Sequence, residues 1–190
     1  DITISAGSTT GTVSFTPTDD SVYEGNETAT IAISSVTGEA SESGTQAVTI
    51  TITENESAPT VTLSIKIDSA GWDYASTSIL ENYSSKSLRL EAKLSGATDE
   101  DVTVALSTSG TATEGTDYTD GSGNLDDITI SAGSRTGFIN FIRSDDSVYE
   151  GDETATIAIS SVSGGSATES GSQSVTITIT DNESAGSDTL

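Results

Sequence analysis

Apolar side chains recur at every second position through most of residues 58–184. Val61, Leu63, Ile65 and Ile67 alternate with polar or charged neighbours, and Leu88, Leu90, Ala92 and Leu94 do the same. Val102, Val104 and Leu106 follow, then Ile128 and Ile130, Ile139 and Phe141, Ala155, Ile157 and Ile159, and finally Val175, Ile177 and Ile179. A period of two marks strands with one buried face. The pattern predicts seven short strands and no helix. Gly-containing turns separate them: Ser95-Gly96, Gly121 to Gly123, Ala132-Gly133 and Gly164-Gly165. Seven one-faced strands in this length predict an all-β fold, a seven-stranded antiparallel β-sandwich.

The chain also repeats itself. Residues 1–38 lie on residues 127–164 at an offset of 126 and differ at nine positions, among them Thr12/Phe138, Thr16/Ile142, Pro17/Arg143 and Asn26/Asp152. After one inserted residue the offset becomes 127, and residues 42–57 match 169–184. Three pieces of a tandem array are therefore expected: residues 1–57 as the second half of one repeat, 58–184 as a complete repeat, and 185–190 as the start of the next. The half-repeat carries counterparts of the last four strands, with Ile2 and Ile4, Val13 and Phe15, Ile31 and Ile33, and Val48, Ile50 and Ile52 on the inward faces. It has nothing equivalent to residues 61–106. It is expected either to be completed by another copy of the chain or to be cut from a longer polypeptide.

Composition narrows the chemistry. The 190 residues carry 6 Lys and Arg against 30 Asp and Glu, a net charge of −24, and no His, Cys or Met. Without imidazole or thiol there is no ordinary acid–base pair, thiolate nucleophile, nitrogen–sulfur zinc site or disulfide framework. Negative charge of this size disfavours nucleic acid and anionic lipid as partners. No apolar run approaches the roughly 18 residues of a membrane helix, so no membrane insertion is expected. Oxygen-seeking divalent cations are the natural partners.

The acids collect in strand connections, at residues 144–153 and 181–183. Asp145, Asp146, Glu150, Asp152 and Glu153 repel one another within ten residues unless something neutralises them. Four segments in order, Gly-Thr-Ala-Thr-Glu-Gly-Thr-Asp-Tyr (110–118), Ile-Thr-Ile-Ser-Ala-Gly (128–133), Asp-Asp-Ser-Val-Tyr-Glu-Gly-Asp-Glu (145–153) and Ile-Thr-Asp-Asn-Glu (179–183), resemble the Calx-beta repeat. The resemblance covers 58–184 and, truncated, 1–57. It implies an immunoglobulin-like β-sandwich whose loops at one end bind Ca²⁺. It further implies ligands from Glu81, Asp117, Asp145, Asp146, the Val148 carbonyl, Glu150, Glu153, Asp181, Asn182 and Glu183. The truncated copy supplies Asp19, Asp20, Val22, Glu24, Glu27, Glu54 and Glu56, without partners for Glu81 or Asp117. Two departures stand out: Asn182 replaces a frequent acid, and residues 68–78, with Trp72 and Asp73, lengthen the first strand region. Since Ca²⁺ takes six to eight oxygens, this many candidates predict two or more ions per complete repeat. Asp152 is the weaker candidate, because Asn26 replaces it in the other copy.

Tyr118 and Tyr149 read as core or rim aromatics. The sequons at Asn26, Asn55, Asn82 and Asn182 read as chance. Phe138 and Ile142 fall on the face opposite Ile139 and Phe141, either beneath the segment around Trp72 or as an exposed contact patch. The expected function is a Ca²⁺-stiffened structural repeat in a long extracellular or cell-surface protein, a bacterial adhesin or filament, whose partners are neighbouring repeats or copies of the same chain. The alternatives are a Ca²⁺-dependent recognition module with an unknown adhesive target and a Ca²⁺ sensor. An enzyme is not expected: a carboxylate pair could hydrolyse glycosides, but these acids cluster as metal ligands do.

Overall fold

The computed structural model describes residues 1–67, 75–82 and 88–186. The chain divides into two compact units: Asp1–Ser21 with Gly25–Glu54, and Val22–Glu24 with Asn55–Leu190. Trp72 and Asp73 lie outside the described residues.

Fourteen strands occur among the described residues: β1 (Val22–Tyr23), β2 (Glu27–Ala32), β3 (Ala47–Ile52), β4 (Thr60–Ile67), β5 (Ser76–Leu80), β6 (Leu88–Leu94), β7 (Ala97–Thr98), β8 (Val102–Gly110), β9 (Tyr118–Thr119), β10 (Ile128–Ile130), β11 (Thr136–Arg143), β12 (Glu153–Ser163), β13 (Thr168–Glu169) and β14 (Ser174–Thr180).

In the second unit two five-stranded sheets, ordered β10-β8-β12-β14-β5 and β13-β4-β6-β11-β9, face each other, and β1 pairs with β7 in a separate short ladder. All seven expected strands are present as β4, β6, β8, β10, β11, β12 and β14. The inward residues of their alternation form the core, with Val61, Ile65, Leu90, Val104, Ile157 and Ile177 fully buried. Ile67, Leu106 and Ile139 are partly buried at its margin.

The expected count and the purely antiparallel pairing both need correction. β5 runs parallel to β14 from Ser76↔Thr176 to Leu80↔Thr180, and β13 runs parallel to β4. The β5 segment Ser-Thr-Ser-Ile-Leu buries only Ile79, so its apolar alternation is too short to read. β12 contains a bulge between Ile159 and Ser161, which shifts the inward parity from Ala155, Ile157 and Ile159 to Val162. An extra residue in one strand has that effect. Tyr118 is buried and stacks on Phe141 with ring centroids 4.8 Å apart, whereas Tyr149 is exposed. Phe138 and Ile142 are exposed, and the Arg89 guanidinium lies 4.4 Å from the Phe138 ring centre.

The first unit forms a single hairpin, β2 with β3, in the register Glu27↔Ile52 to Ala32↔Ala47. That register matches the β12–β14 pairing from Glu153↔Ile179 to Ala158↔Ser174. Residues 1–17 form no strand, although two strands were expected there.

Candidate metal centre

Strand direction gathers the acidic segments at one end of the second unit. β5 and β14 run in parallel, so Glu81 and Asp181 leave the sheet side by side, and Glu81 donates its N–H to the Thr180 carbonyl at 3.0 Å. β12 is antiparallel to both β14 and β8, so it begins where they end. The loops 111–117 and 144–152 open at the same end.

Local chemistry fixes these loops. At Gly110 φ is +124°, and a Cβ would lie 2.0 Å from the Thr154 carbonyl oxygen, so only glycine allows β8 to turn here against β12. The turn that follows is held by Asp117, whose carboxylate accepts the Thr113 N–H at 2.6 Å while its own N–H donates to the Thr113 carbonyl. Asp146 accepts from the Val148 N–H at 2.7 Å, the local bond by which Asp often shapes a loop. Asp146 also donates its own N–H to Glu81 at 3.2 Å.

Asp181 is the hub. Its Oδ2 accepts the N–H groups of Glu150 (2.7 Å) and Gly151 (2.5 Å), and its Oδ1 accepts that of Glu183 (2.7 Å). Desolvation opposes its ionisation, but these three donors outweigh it and hold Asp181 below the usual carboxylate range. Asp152 closes the loop by accepting the Asp181 N–H at 3.2 Å.

Two carboxylate triplets result. Glu81, Asp181 and Glu183 each present an oxygen within 4.8 Å of the other two, and so do Asp117, Glu150 and Glu153. Such proximity is costly for like charges. Desolvation first, then the Asp117 charge and a hydrogen bond shared with it, then Glu150 and Glu81, push Glu153 up to about 7. Glu81 is raised by desolvation and by the charges of Asp146, Asp181 and Asp145, against the lowering effect of the Asp146 N–H. Glu150 is raised by desolvation and by Asp117, Asp146 and Asp181. Glu183 is raised by desolvation and by its contact with Asp181, to which it can bond only by holding a proton.

The Oε2 atom of Glu183 is buried and finds no hydrogen-bond donor among the described residues. Asn182 donates to the other oxygen, Oε1, at 2.7 Å. An acceptor buried without a donor is costly, and a hard divalent cation would satisfy it. The donors are all oxygens, which selects for such a cation over softer metals.

Other acids brace the loops through backbone N–H groups and the Thr108 hydroxyl. Asp120 accepts from Ser122 and Asp126, Asp101 from Ala132, and Glu114 from Thr108 and Leu125. Glu114 lies within the motif of residues 110–118 but outside both triplets. Asp145, Asp146 and Val148 are exposed beside the triplets.

Of the ligands expected in the truncated copy, Asp19, Asp20, Glu27 and Glu54 belong to the first unit, and Val22, Glu24 and Glu56 to the second. None joins a triplet among the described residues. Part of the loop pattern persists there: Gly25 N–H donates to Glu54 at 2.7 Å, as Gly151 does to Asp181, and Glu54 N–H donates to Asn26 Oδ1 at 2.9 Å, as Asp181 does to Asp152. Asn and Asp offer the same acceptor oxygen in that role, which accounts for their exchange.

Among solved structures, a crystal structure of the apo-form Calx CBD1 domain is similar at 20% identity and a TM-score of 0.50, covering 66% of this chain and 99% of that one. Another, of CBD12 from CALX1.2, is 19% identical with a TM-score of 0.49 and covers 65% of this chain, which spans 45% of its length. The first of these likenesses bears on the fold. No curated protein sequence matches. A family model described as the Calx-beta domain matches residues 1–57 and 67–183. With most of its length matched, and a sandwich of the same kind, the chain belongs to the Calx-beta domain family.

Proposed function

We propose that the second unit binds Ca²⁺, with two ions as the minimum, and that it serves as a structural repeat of a long extracellular or cell-surface protein. The observation that carries the metal reading is the pair of carboxylate triplets at one end of the sandwich, with the Glu183 oxygen buried and lacking a donor. Family membership supports Ca²⁺ as the ion. Glu81, Asp181 and Glu183 would hold one ion, and Asp117, Glu150 and Glu153 another, with Asp145, Asp146, Asn182 and the Val148 carbonyl within the same loops. The bound ions neutralise charges that otherwise repel.

The spacer role is supported by near-identical copies in one chain and by the placement of Asp181, Asn182 and Glu183 on the chain's exit from the sandwich. An ion held there stiffens the exit as well as the loops. Calorimetric titration of the chain with Ca²⁺, with unfolding midpoints in Ca²⁺ and in chelator, tests the reading. Saturable binding of at least two ions and a higher midpoint in Ca²⁺ are expected. Equal midpoints would refute it.

A second reading, a Ca²⁺-dependent recognition module, is favoured by the exposed Phe138 beneath Arg89. Partner capture that is lost on Phe138→Thr, the residue type of Thr12, would support it.

A further inference from the structure

Every Lys and Arg among the described residues lies on one sheet. Lys66 belongs to β4, Arg89 and Lys93 to β6 and Arg143 to β11, and Arg135 directly precedes β11. Arg135 and Arg143 donate to the backbone carbonyls of Leu94, Ser95 and Leu80. The other three point outward, because the alternate positions Ile65, Leu90 and Ala92 fill the core. The register sets them in rows across the sheet: Lys66, Arg89 and Asn140, then Ser64, Glu91 and Phe138, then Thr62, Lys93 and Thr136. Glu91 is the one acid in these rows and pairs with Lys66 at 3.6 Å, while Arg89 and Lys93 have no ion pair among the described residues. A chain of net charge −24 thus carries one basic face. Phe138, with the Arg89 guanidinium 4.4 Å from its ring centre, and Ile142 add exposed apolar surface to it.

The two sequence copies diverge on this same face. Of the nine differences between residues 1–38 and 127–164, seven fall within residues 135–144, and the outward ones are Thr12/Phe138, Ser14/Asn140 and Thr16/Ile142. The inward positions keep their character, with Val13/Ile139 both apolar and Phe15 identical to Phe141. Two small hydroxyl side chains have become large apolar ones where the core has no use for them, so packing does not account for the exchange. An exposed aromatic and an Ile set among Arg and Lys have the composition of a contact surface.

The complement of that surface is present in the chain. In the loop after β11, Val148 and Tyr149 are exposed among Asp145, Asp146 and Glu150, which are exposed too. The same hexapeptide at residues 19–24 is engaged elsewhere, since Val22 and Tyr23 are half-buried and pair with Ala97 and Thr98. We propose that the outward face of β4, β6 and β11 docks the 145–150 loop of a second copy of the chain. Val148 and Tyr149 would lie against Phe138 and Ile142, and the carboxylates against Arg89 and Lys93. Opposite local charge fixes the orientation of such a contact. The like net charge of two copies is screened beyond about 8 Å at physiological ionic strength and opposes it little. Each copy carries both surfaces, so a two-fold pair makes the contact twice. The inference rests on the reading of Phe138 as a recognition residue, names its partner, and requires no metal.

Sedimentation equilibrium of the whole 190-residue chain in chelator tests this without any dependence on Ca²⁺ binding. The weight-average mass should rise from 19.3 kDa toward twice that value between about 1 µM and about 1 mM. Phe138→Thr, which installs the residue type of Thr12, and Tyr149→Ser should each weaken association at least about tenfold. Both side chains are exposed, so the unfolding midpoints should not change. In an equal mixture, the Tyr149→Ser chain supplies an intact face and the Phe138→Thr chain an intact loop. The mixture should therefore associate more than either variant alone. Three results would overturn the inference: a monomer at every concentration, which would leave Phe138 to a different partner; association of Tyr149→Ser equal to that of the parent, which would seat another surface on the face; or a mixture no heavier than its two components.

Discussion

Residues 1–38 and 127–164 are nearly the same polypeptide in two settings. Phe15 is 44% exposed and Phe141 1%; Ile31 is 47% exposed and Ile157 0%. The bonds that survive in both copies are the local ones. Thr30 and Thr49 hydroxyls meet at 3.2 Å, as do those of Thr156 and Thr176, and Gln46 and Gln173 each bind the turn before their strand. What is lost in the first copy is every ladder that needs residues 88–119. Strand formation by a sequence such as Ile-Thr-Ile therefore follows from the partner across the ladder, in keeping with the context dependence of β propensity.

The strongest challenge to this comparison is one substitution made twice. Phe141→Ala should cost about 3–5 kcal/mol, the usual loss for a buried aromatic. Phe15→Ala should stay within roughly 0.5 kcal/mol, as exposed changes do. Denaturant unfolding of each variant measures both, and equal costs would mean that the two copies are packed alike.

Metal removal probes the loops in the same way. At a hundredfold excess of Ca²⁺ over its dissociation constant, ligand linkage contributes about 2.7 kcal/mol. That stabilisation should be confined to the second unit, and hydrogen exchange in Ca²⁺ and in chelator resolves the units. Equal slowing across β2 and β3 would place a site in the first unit too.

Single ligands give a smaller effect. Glu150→Gln removes a charge from a triplet and should weaken Ca²⁺ binding about tenfold, or roughly 1.4 kcal/mol. Asp152→Asn keeps the acceptor for the Asp181 N–H, as Asn26 does for Glu54, and should change affinity much less. Calorimetry on both variants would contradict these roles if the losses were equal.

The smallest expected effect is on pH. With metal chelated, Glu153 titrates near 7 instead of 4.5. The folded state then holds this proton more firmly than the unfolded state, so the stabilisation is full below 4.5 and is lost as pH rises through 7. The chelated second unit should melt higher at pH 5 than at pH 7.5. Protons and Ca²⁺ compete for the same oxygens, so affinity should fall, and proton release on binding rise, as pH drops below 7. Melting and titration at both pH values check the two signs.

Much of this architecture was legible in the sequence. Strict alternation at residues such as Leu88, Leu90 and Leu94 gave the long strands, and the acids of residues 144–153 and 181–183 pointed to one end. β5 was hidden because Ile79 is its single buried anchor. Val162 was hidden by the bulge, since a parity change cannot be read before the register is known. The division of the acids into two triplets depends on which loops meet across the sandwich, and no spacing along the chain encodes it. Asp181 read as a ligand, but its hold on three backbone N–H groups is a property of the folded loops alone.

The parallel pairing of β5 with β14 bears on mechanics. β14 carries the chain out of the sandwich, and a pull on Asp181 along that strand is resisted by β12 on one side and β5 on the other. Ladder bonds stand across the strand axis, so such a pull shears both ladders at once and does not peel them bond by bond. Forced unfolding should therefore begin with a single high-force event when tension enters through β14. The short Ser- and Thr-rich edge strand thus adds a second ladder that must slip as a whole before the exit of this unit yields.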